Sequence, residues 1–301
     1  MSESGWYSHK PPGPLLMRPV PSSQSRLAEL RRLVALELRT QLPRPRTWLT
    51  LGFAALVPLL ITAAFAVGGA PTAAQGASET DFLLVATRSG LDMPLAALSA
   101  MAPFLLVVLV SIFAGETLSG EASSGRLRAL LARPVSRSSL LASKALVATG
   151  LSVVACIEVT VAGLASGVAA FGWHRVVTPE LVSYSQGASL ERIVLSTGYV
   201  AVALGGVGAF ALFVSTVTDS VIGAVGAGIG FALLSEILDS IPALGSLRDG
   251  LPTHYLLAWG GLFLQPAQLH PMLAGLLVQV PYIGLFSAGA WWWFTRKDVL
   301  S

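Results

Sequence analysis

Between Asp249 and Arg296 lie 46 consecutive residues without one charged side chain. Five shorter stretches behave in the same way. Arg46 to Glu79 encloses 32 uncharged residues, Asp92 to Glu116 encloses 23, Arg192 to Asp219 encloses 26, and Asp219 to Glu236 encloses 16. Lys144 to Arg175 is interrupted only by Glu158. An apolar helix needs roughly 20 residues to cross about 30 Å of hydrocarbon, and these runs reach that length, the 16-residue one by extension from Asp219 at the interface to about Leu238. Charged residues make up 12% of the 301-residue chain and apolar residues 53%, against roughly 25% and 45–50% in soluble proteins. So few charges cannot cover a soluble surface, so lipid must cover much of this one. An ordinary cytosolic enzyme, a disulfide-built secreted module and a disordered regulator are all excluded. Cys156 is alone and can form no intramolecular disulfide.

The runs predict an all-α polytopic membrane protein with six transmembrane helices, at about 48–68, 93–115, 144–172, 193–215, 219–238 and 271–294. The last run is too long for one span. Its surplus, about 239–270, carries Pro242, Pro252 and Pro266, with Pro271 just beyond. Prolines so closely spaced break a helix into short pieces. This segment is expected as short external or re-entrant helices, tolerated where protein or water satisfies their backbone.

With six spans both termini share one side, and 15 of the 19 Lys and Arg residues fall on it. The positive-inside rule makes that side cytoplasmic, and the protein is expected as a multi-pass component of the plasma membrane. Trp48, Trp173 and Trp291-Trp292-Trp293 fall at predicted span ends, as interfacial aromatics do. The basic character therefore serves topology and anionic lipid rather than nucleic acid, for which no aromatic-lined basic groove is present.

Residues 1–24, with Pro11, Pro12, Pro14, Pro19 and Pro21, are expected as a flexible cytoplasmic tail rather than a signal peptide. Residues 25–42 follow as an amphipathic interfacial helix, capped by Ser25 and carrying Leu27, Leu30, Leu33, Val34 and Leu38 on one face. Between spans two and three, residues 116–137 place Leu127, Leu130 and Leu131 on a short stripe among Arg126, Arg128 and Arg133. Pro134 ends that helix. A short amphipathic helix flanked by charge needs a partner for its leucines.

This segment resembles the cytoplasmic loop of type-2 ATP-binding-cassette (ABC) permeases. Glu121, Gly125, Leu127, Leu130, Leu131, Pro134-Val135-Ser136-Arg137 and Lys144 stand where that family has an acid, a glycine, leucines, Pro-Val-Ser-Arg and a lysine. The elbow-like first helix, six spans, proline-broken external segment and terminal Phe294-Thr295-Arg296-Lys297-Asp298 agree in order. The resemblance implies a coupling helix docked on a separate ATPase, present in two copies and carrying the ATP and Mg. It also implies a second permease protomer, identical or related, around a shared transport path. The three lysines, Lys10, Lys144 and Lys297, stand in no G-x-x-x-x-G-K-[ST] loop. A chain without a phosphate cradle is expected to bind no nucleotide and no cofactor itself.

Glu158 lies midway along span three, where a charged acid costs about 2.5–3.5 kcal/mol on insertion scales. It marks either a substrate path or proton site, or a neutral, hydrogen-bonded structural acid. Glu236 falls near the outer interface and asks for less. Gly226 and Gly230 form a G-x-x-x-G pair for close helix packing, within the protomer or across a dimer, and span four carries Gly205, Gly206 and Gly208. No catalytic constellation and no metal spacing appears. His9, His174, His254 and His270 all lie outside the predicted spans, and Gly163-Leu164-Ala165-Ser166-Gly167 has no histidine at its depth. The leading expectation is the permease subunit of an ABC exporter. The competing ones are a stand-alone ion-coupled transporter with Glu158 as proton site, and an intramembrane enzyme or anchor. Residues 48–175 and 193–294 show no inverted repeat, which disfavours the former.

Overall fold

The charge-free runs fold as helices because in hydrocarbon every backbone N–H and C=O must be satisfied within the segment. The computed structural model describes residues 23–69, 82–125, 135–178 and 182–296. Helix α1 is Ser23–Gln41. Six helices long and apolar enough to cross a membrane follow: α2 Pro45–Gly68, α3 Met93–Ser123, α4 Arg137–Phe171, α5 Gln186–Val217, α6 Val221–Asp239 and α7 His270–Arg296. The protein is an all-α polytopic membrane protein. Its only described sheet is a two-residue ladder pairing Val176–Val177 with Ser183–Tyr184.

Several boundaries differ from the sequence reading. Helix α1 starts at Ser23, ahead of the expected Ser25 cap. Helix α3 runs on past Gly115 to Ser123, and α4 begins at Arg137 rather than Lys144. With 31 and 35 residues these two helices are about 46 and 52 Å long at 1.5 Å per residue. Both therefore outrun a bilayer core of about 30 Å. They project together from the face that holds most of the cations, called here the basic face.

Two irregularities shape the bundle. Pro103 lacks an N–H, and α3 absorbs the gap as a π-turn over Ala102–Leu106. Helix α5 breaks at Leu204, just before Gly205 and Gly206. The Gly206 N–H freed there donates to Gln279 Oε1 of α7 at 3.0 Å, and Gln279 Nε2 donates to Pro252 O at 2.8 Å. One buried amide thus satisfies both the break and the segment outside it.

Helix α3 is the hub. Leu95, Leu98, Met101 and Leu106 are at most 1% exposed. Close crossings use glycine where a side chain would collide. A Cβ on Gly167 would lie 2.5 Å from Met93 Cβ, and one on Gly228 would lie 2.7 Å from Ser111 Oγ. The opposite face is closed by the proline-broken segment, which forms 3-10 turns over Pro242–Gly250 and Ala258–Phe263. Its Trp259 and Phe263 pack on Phe82 at ring separations of 5.2 and 5.1 Å. Arg192 Nε fixes the cap by donating to Leu262 O at 2.9 Å.

Candidate functional site at the basic face

Helix α1 turns an apolar stripe inward, with Leu30, Leu33, Val34 and Leu38 half-buried and Leu27 left exposed. Two polar residues share that stripe: Glu37 and Gln41 are both buried. Facing them is Lys144 of α4, whose side chain has no exposed surface. Its Nζ lies 2.9 Å from Glu37 Oε2 and 2.6 Å from Glu121 Oε1. Gln41 Nε2 donates to Glu37 Oε1 at 3.0 Å, and Arg44 Nη1 donates to Gln41 Oε1 at 3.1 Å. Close by, Arg46 Nε and Glu116 Oε2 pair at 3.0 Å. Desolvating each ion costs several kcal/mol, offset only when partners sit at contact distance. The triad therefore ties α1, α3 and α4 together at the root of the loop between spans two and three.

Both ends of that loop are pinned. Gly125 ends α3 with φ +69°, a conformation that favours glycine, and its N–H reaches Ala122 O at 3.0 Å. On the far side Ser136 caps α4, accepting from Ser139 N–H at 3.1 Å. The Ser136 N–H donates to Glu29 Oε1 of α1 at 3.3 Å, and Arg137 Nη1 donates to Thr295 O of α7 at 3.2 Å. Leu127, Leu130, Leu131 and Pro134 lie outside the described residues.

Sequence reasoning grouped Glu121 with these surface residues. The structure instead puts it inside α3, 5% exposed, with its carboxylate turned onto Lys144. It anchors the loop from beneath. Glu37 and the burial of Lys144 were missed, and both left a trace. Glu37 stands three residues after Val34 and four before Gln41, on the apolar stripe of an otherwise clean amphipathic helix. An acid there needs a buried cation, and Lys144 is the only lysine between Lys10 and Lys297.

The remaining predicted residues lie elsewhere. Glu158 is 14 residues beyond Lys144 on α4, about 21 Å along the axis, so it does not join the junction. Val154, Ile157 and Val161 beside it are exposed to the bilayer side, while Cys156 and Val159 point inward. Glu158 Oε2 is nonetheless buried and has no hydrogen-bond partner among the described residues. Gly226 and Gly230 face outward on α6, with nothing within 4 Å of a Cβ on either. The close packing inside the protomer falls to Gly228 instead. Ser166 Oγ is hydrogen-bonded to Thr62 Oγ1 at 2.7 Å, and Gly163 and Gly167 pack against the start of α3. Helix packing accounts for that stretch. Among the described residues no cluster of His, Cys, Asp or Glu is arranged to hold a metal.

A family model described as ABC-2 family transporter protein matches residues 33–289, from the middle of α1 almost to the end of α7. The chain belongs to the ABC-2 family. It is a membrane permease of the ABC transporters, and its junction and both flanks of the loop fall inside the matched region. No curated protein matches the chain. In this ABC-2 permease the buried, ion-paired triad links α1, α3 and α4 beneath the loop.

Proposed function

We propose that this permease forms the translocation path of an ATP-driven exporter, paired with a second permease chain and driven by two copies of a separate ATPase. ATP and Mg belong to that ATPase. The observation that carries the reading is the anchoring of the loop. Its ends are fastened to α1, α4 and α7 by Glu29, Lys144 and Arg137, with Glu37 and Glu121 closing on Lys144. A loop held in this way passes a push at Leu127, Leu130 and Leu131 to several helices at once instead of bending. In this reading the basic face is cytoplasmic, both termini lie there, and the membrane is the plasma membrane. The positive-inside bias supports that orientation. The outward Gly226 and Gly230 of α6 supply the close-approach surface for the second permease.

Family membership displaces the stand-alone ion-coupled reading, but Glu158 keeps a role in the proposal. Its buried, partnerless oxygen suits a group that meets substrate or a proton during the cycle. The ATPase partnership is tested by co-purification with the ATPase encoded nearest to this chain. Capture by the native permease and loss with Leu130→Asp are the expected results. Equal capture with Leu130→Asp would dismiss the loop as the docking element.

A further inference from the structure

The face opposite the basic one carries a charge cluster of its own, centred on His254 between α6 and α7. His254 Nδ1 lies 2.5 Å from Asp239 Oδ1 at the end of α6, and Nε2 lies 3.5 Å from Asp249 Oδ1. Arg248 Nε donates to the same Asp239 oxygen at 3.2 Å. Glu236, three residues back on α6, is a third acid close enough to interact with the ring. The Tyr255 ring stands edge-on to His254 at 4.5 Å. Tyr199 of α5 and Tyr282 of α7 donate to the backbone at Tyr255 and Gly250 rather than to the imidazole.

A neutral imidazole has one N–H and one lone pair. Here that lone pair would face a carboxylate oxygen, whichever nitrogen carried it. Only the imidazolium presents a proton to Asp239 and Asp249 together. The ring therefore bridges the two acids when charged and leaves one of them unbridged when neutral.

Packing decides what such a bridge holds. Pro242–Gly250 buries none of its nine residues, and Leu247 is 73% exposed. This strap has no apolar anchor. Just beyond it, Leu256, Trp259 and Phe263 are at most 3% exposed. The strap is tied near its ends by polar contacts. Ser235 Oγ and Thr253 Oγ1 are hydrogen-bonded at 2.6 Å, Tyr282 OH donates to Gly250 O at 2.9 Å, and His254 closes on Asp239 and Asp249. A segment with few buried apolar contacts opens at low cost in free energy. Losing one ion pair therefore matters in the strap and little in the packed part that follows.

We propose that His254 is a pH-sensitive clasp on the strap Pro242–Gly250. Protonated, the ring bridges Asp239 to Asp249 and pins the strap to the end of α6. As pH rises and the proton is lost, Asp249 is released and the strap loosens, while Trp259 and Phe263 stay packed. With the orientation proposed above, the clasp responds to pH outside the cell. The clasp itself depends neither on that orientation nor on the ATPase partnership.

Electron paramagnetic resonance of the permease in nanodiscs tests it, with a nitroxide on Ser246→Cys in the strap. Cys156 is fully buried and should take little label. A label on Gln268→Cys serves as reference, because the Gln268 N–H donates to Gly261 O at 2.9 Å in the packed part. Mobility at position 246 should rise about twofold or more from about pH 5.5 to about pH 8.5, across which histidine changes charge. Mobility at position 268 should stay constant. His254→Gln should abolish the response. Asp249→Asn, at a side chain that is 60% exposed, should leave the fold intact and the strap mobile already at the lower pH. A flat profile with His254 in place, a response that survives His254→Gln, or equal loosening at position 268 overturns the proposal. So does a strap that stays ordered at the lower pH in Asp249→Asn.

Discussion

At the scale of single residues, the permease keeps two kinds of ionisable group out of water, and they behave differently under substitution. Lys144 is enclosed by two acids, so Lys144→Met leaves Glu37 and Glu121 buried without their cation. Breaking a buried pair from one side costs about 3–5 kcal/mol, whereas replacing the whole set by apolar or neutral groups is close to neutral. Lys144→Met should therefore melt well below the native protein in detergent. The triple variant Lys144→Met, Glu37→Gln and Glu121→Gln should recover most of the loss. A triple variant as unstable as the single one would show that packing, not charge, holds the junction. Glu158 is the opposite case, because nothing described pairs with its buried oxygen. Glu158→Gln should leave the melting temperature equal or higher, since a neutral amide is cheaper in hydrocarbon. If the acid serves transport, the same variant lowers transport rate or flattens its dependence on pH between 5 and 8. Native transport in Glu158→Gln across that range would return the acid to a passive role.

At the scale of elements, the two faces of α6 illustrate what a pattern of glycines can and cannot say. Gly226 and Gly230 satisfy G-x-x-x-G, yet a Cβ on either meets open space. Gly228 sits between them and is the one pressed against Ser111 and Ala211, while Gly115 of α3 meets the backbone of Val225. Periodicity places small residues on a helix, but only the neighbouring helices decide which face is filled. Gly228→Val should overpack the α3–α6 crossing and destabilise the protomer by about 1–3 kcal/mol. Gly226→Leu should leave protomer melting unchanged and weaken pairing with a second chain, read as a shift toward monomer on size exclusion. If Gly226→Leu lowers protomer stability as much as Gly228→Val, the outward assignment of that face is wrong. The same logic explains the legible and the illegible parts of the junction. The α3–loop–α4 order and the stripe of α1 follow from hydropathy, since each is a local repeat. The closure of Glu37 on Lys144 spans 107 residues of sequence, and only the packing of α1 on α4 brings it about. The α5 break likewise escaped notice, because Gly205 and Gly206 read as packing residues until Gln279 is seen filling the gap.

At the scale of the whole molecule, the distribution of charge and the length of the helices make one claim together. Helices α3 and α4 project from the basic face, while the 3-10 turns and the short ladder close the opposite one. That asymmetry fixes which ends lie together but not which compartment each faces. The positive-inside rule supplies the second step, and it can be tested directly. Cys156 is the only cysteine and is fully buried in α4, so the native chain should react little with a membrane-impermeant maleimide. Exposed single cysteines then report their side. Trp173→Cys lies just beyond the end of α4 on the capped face, and Ser138→Cys lies in the first turn of α4 on the basic face. In intact cells Trp173→Cys should label and Ser138→Cys should not, while both should label once the membrane is opened. The reverse pattern would place the loop outside the cell, out of reach of any cytoplasmic ATPase. Such a result would remove the coupling proposal while leaving the fold untouched, because the fold rests on packing within the bilayer and not on its polarity.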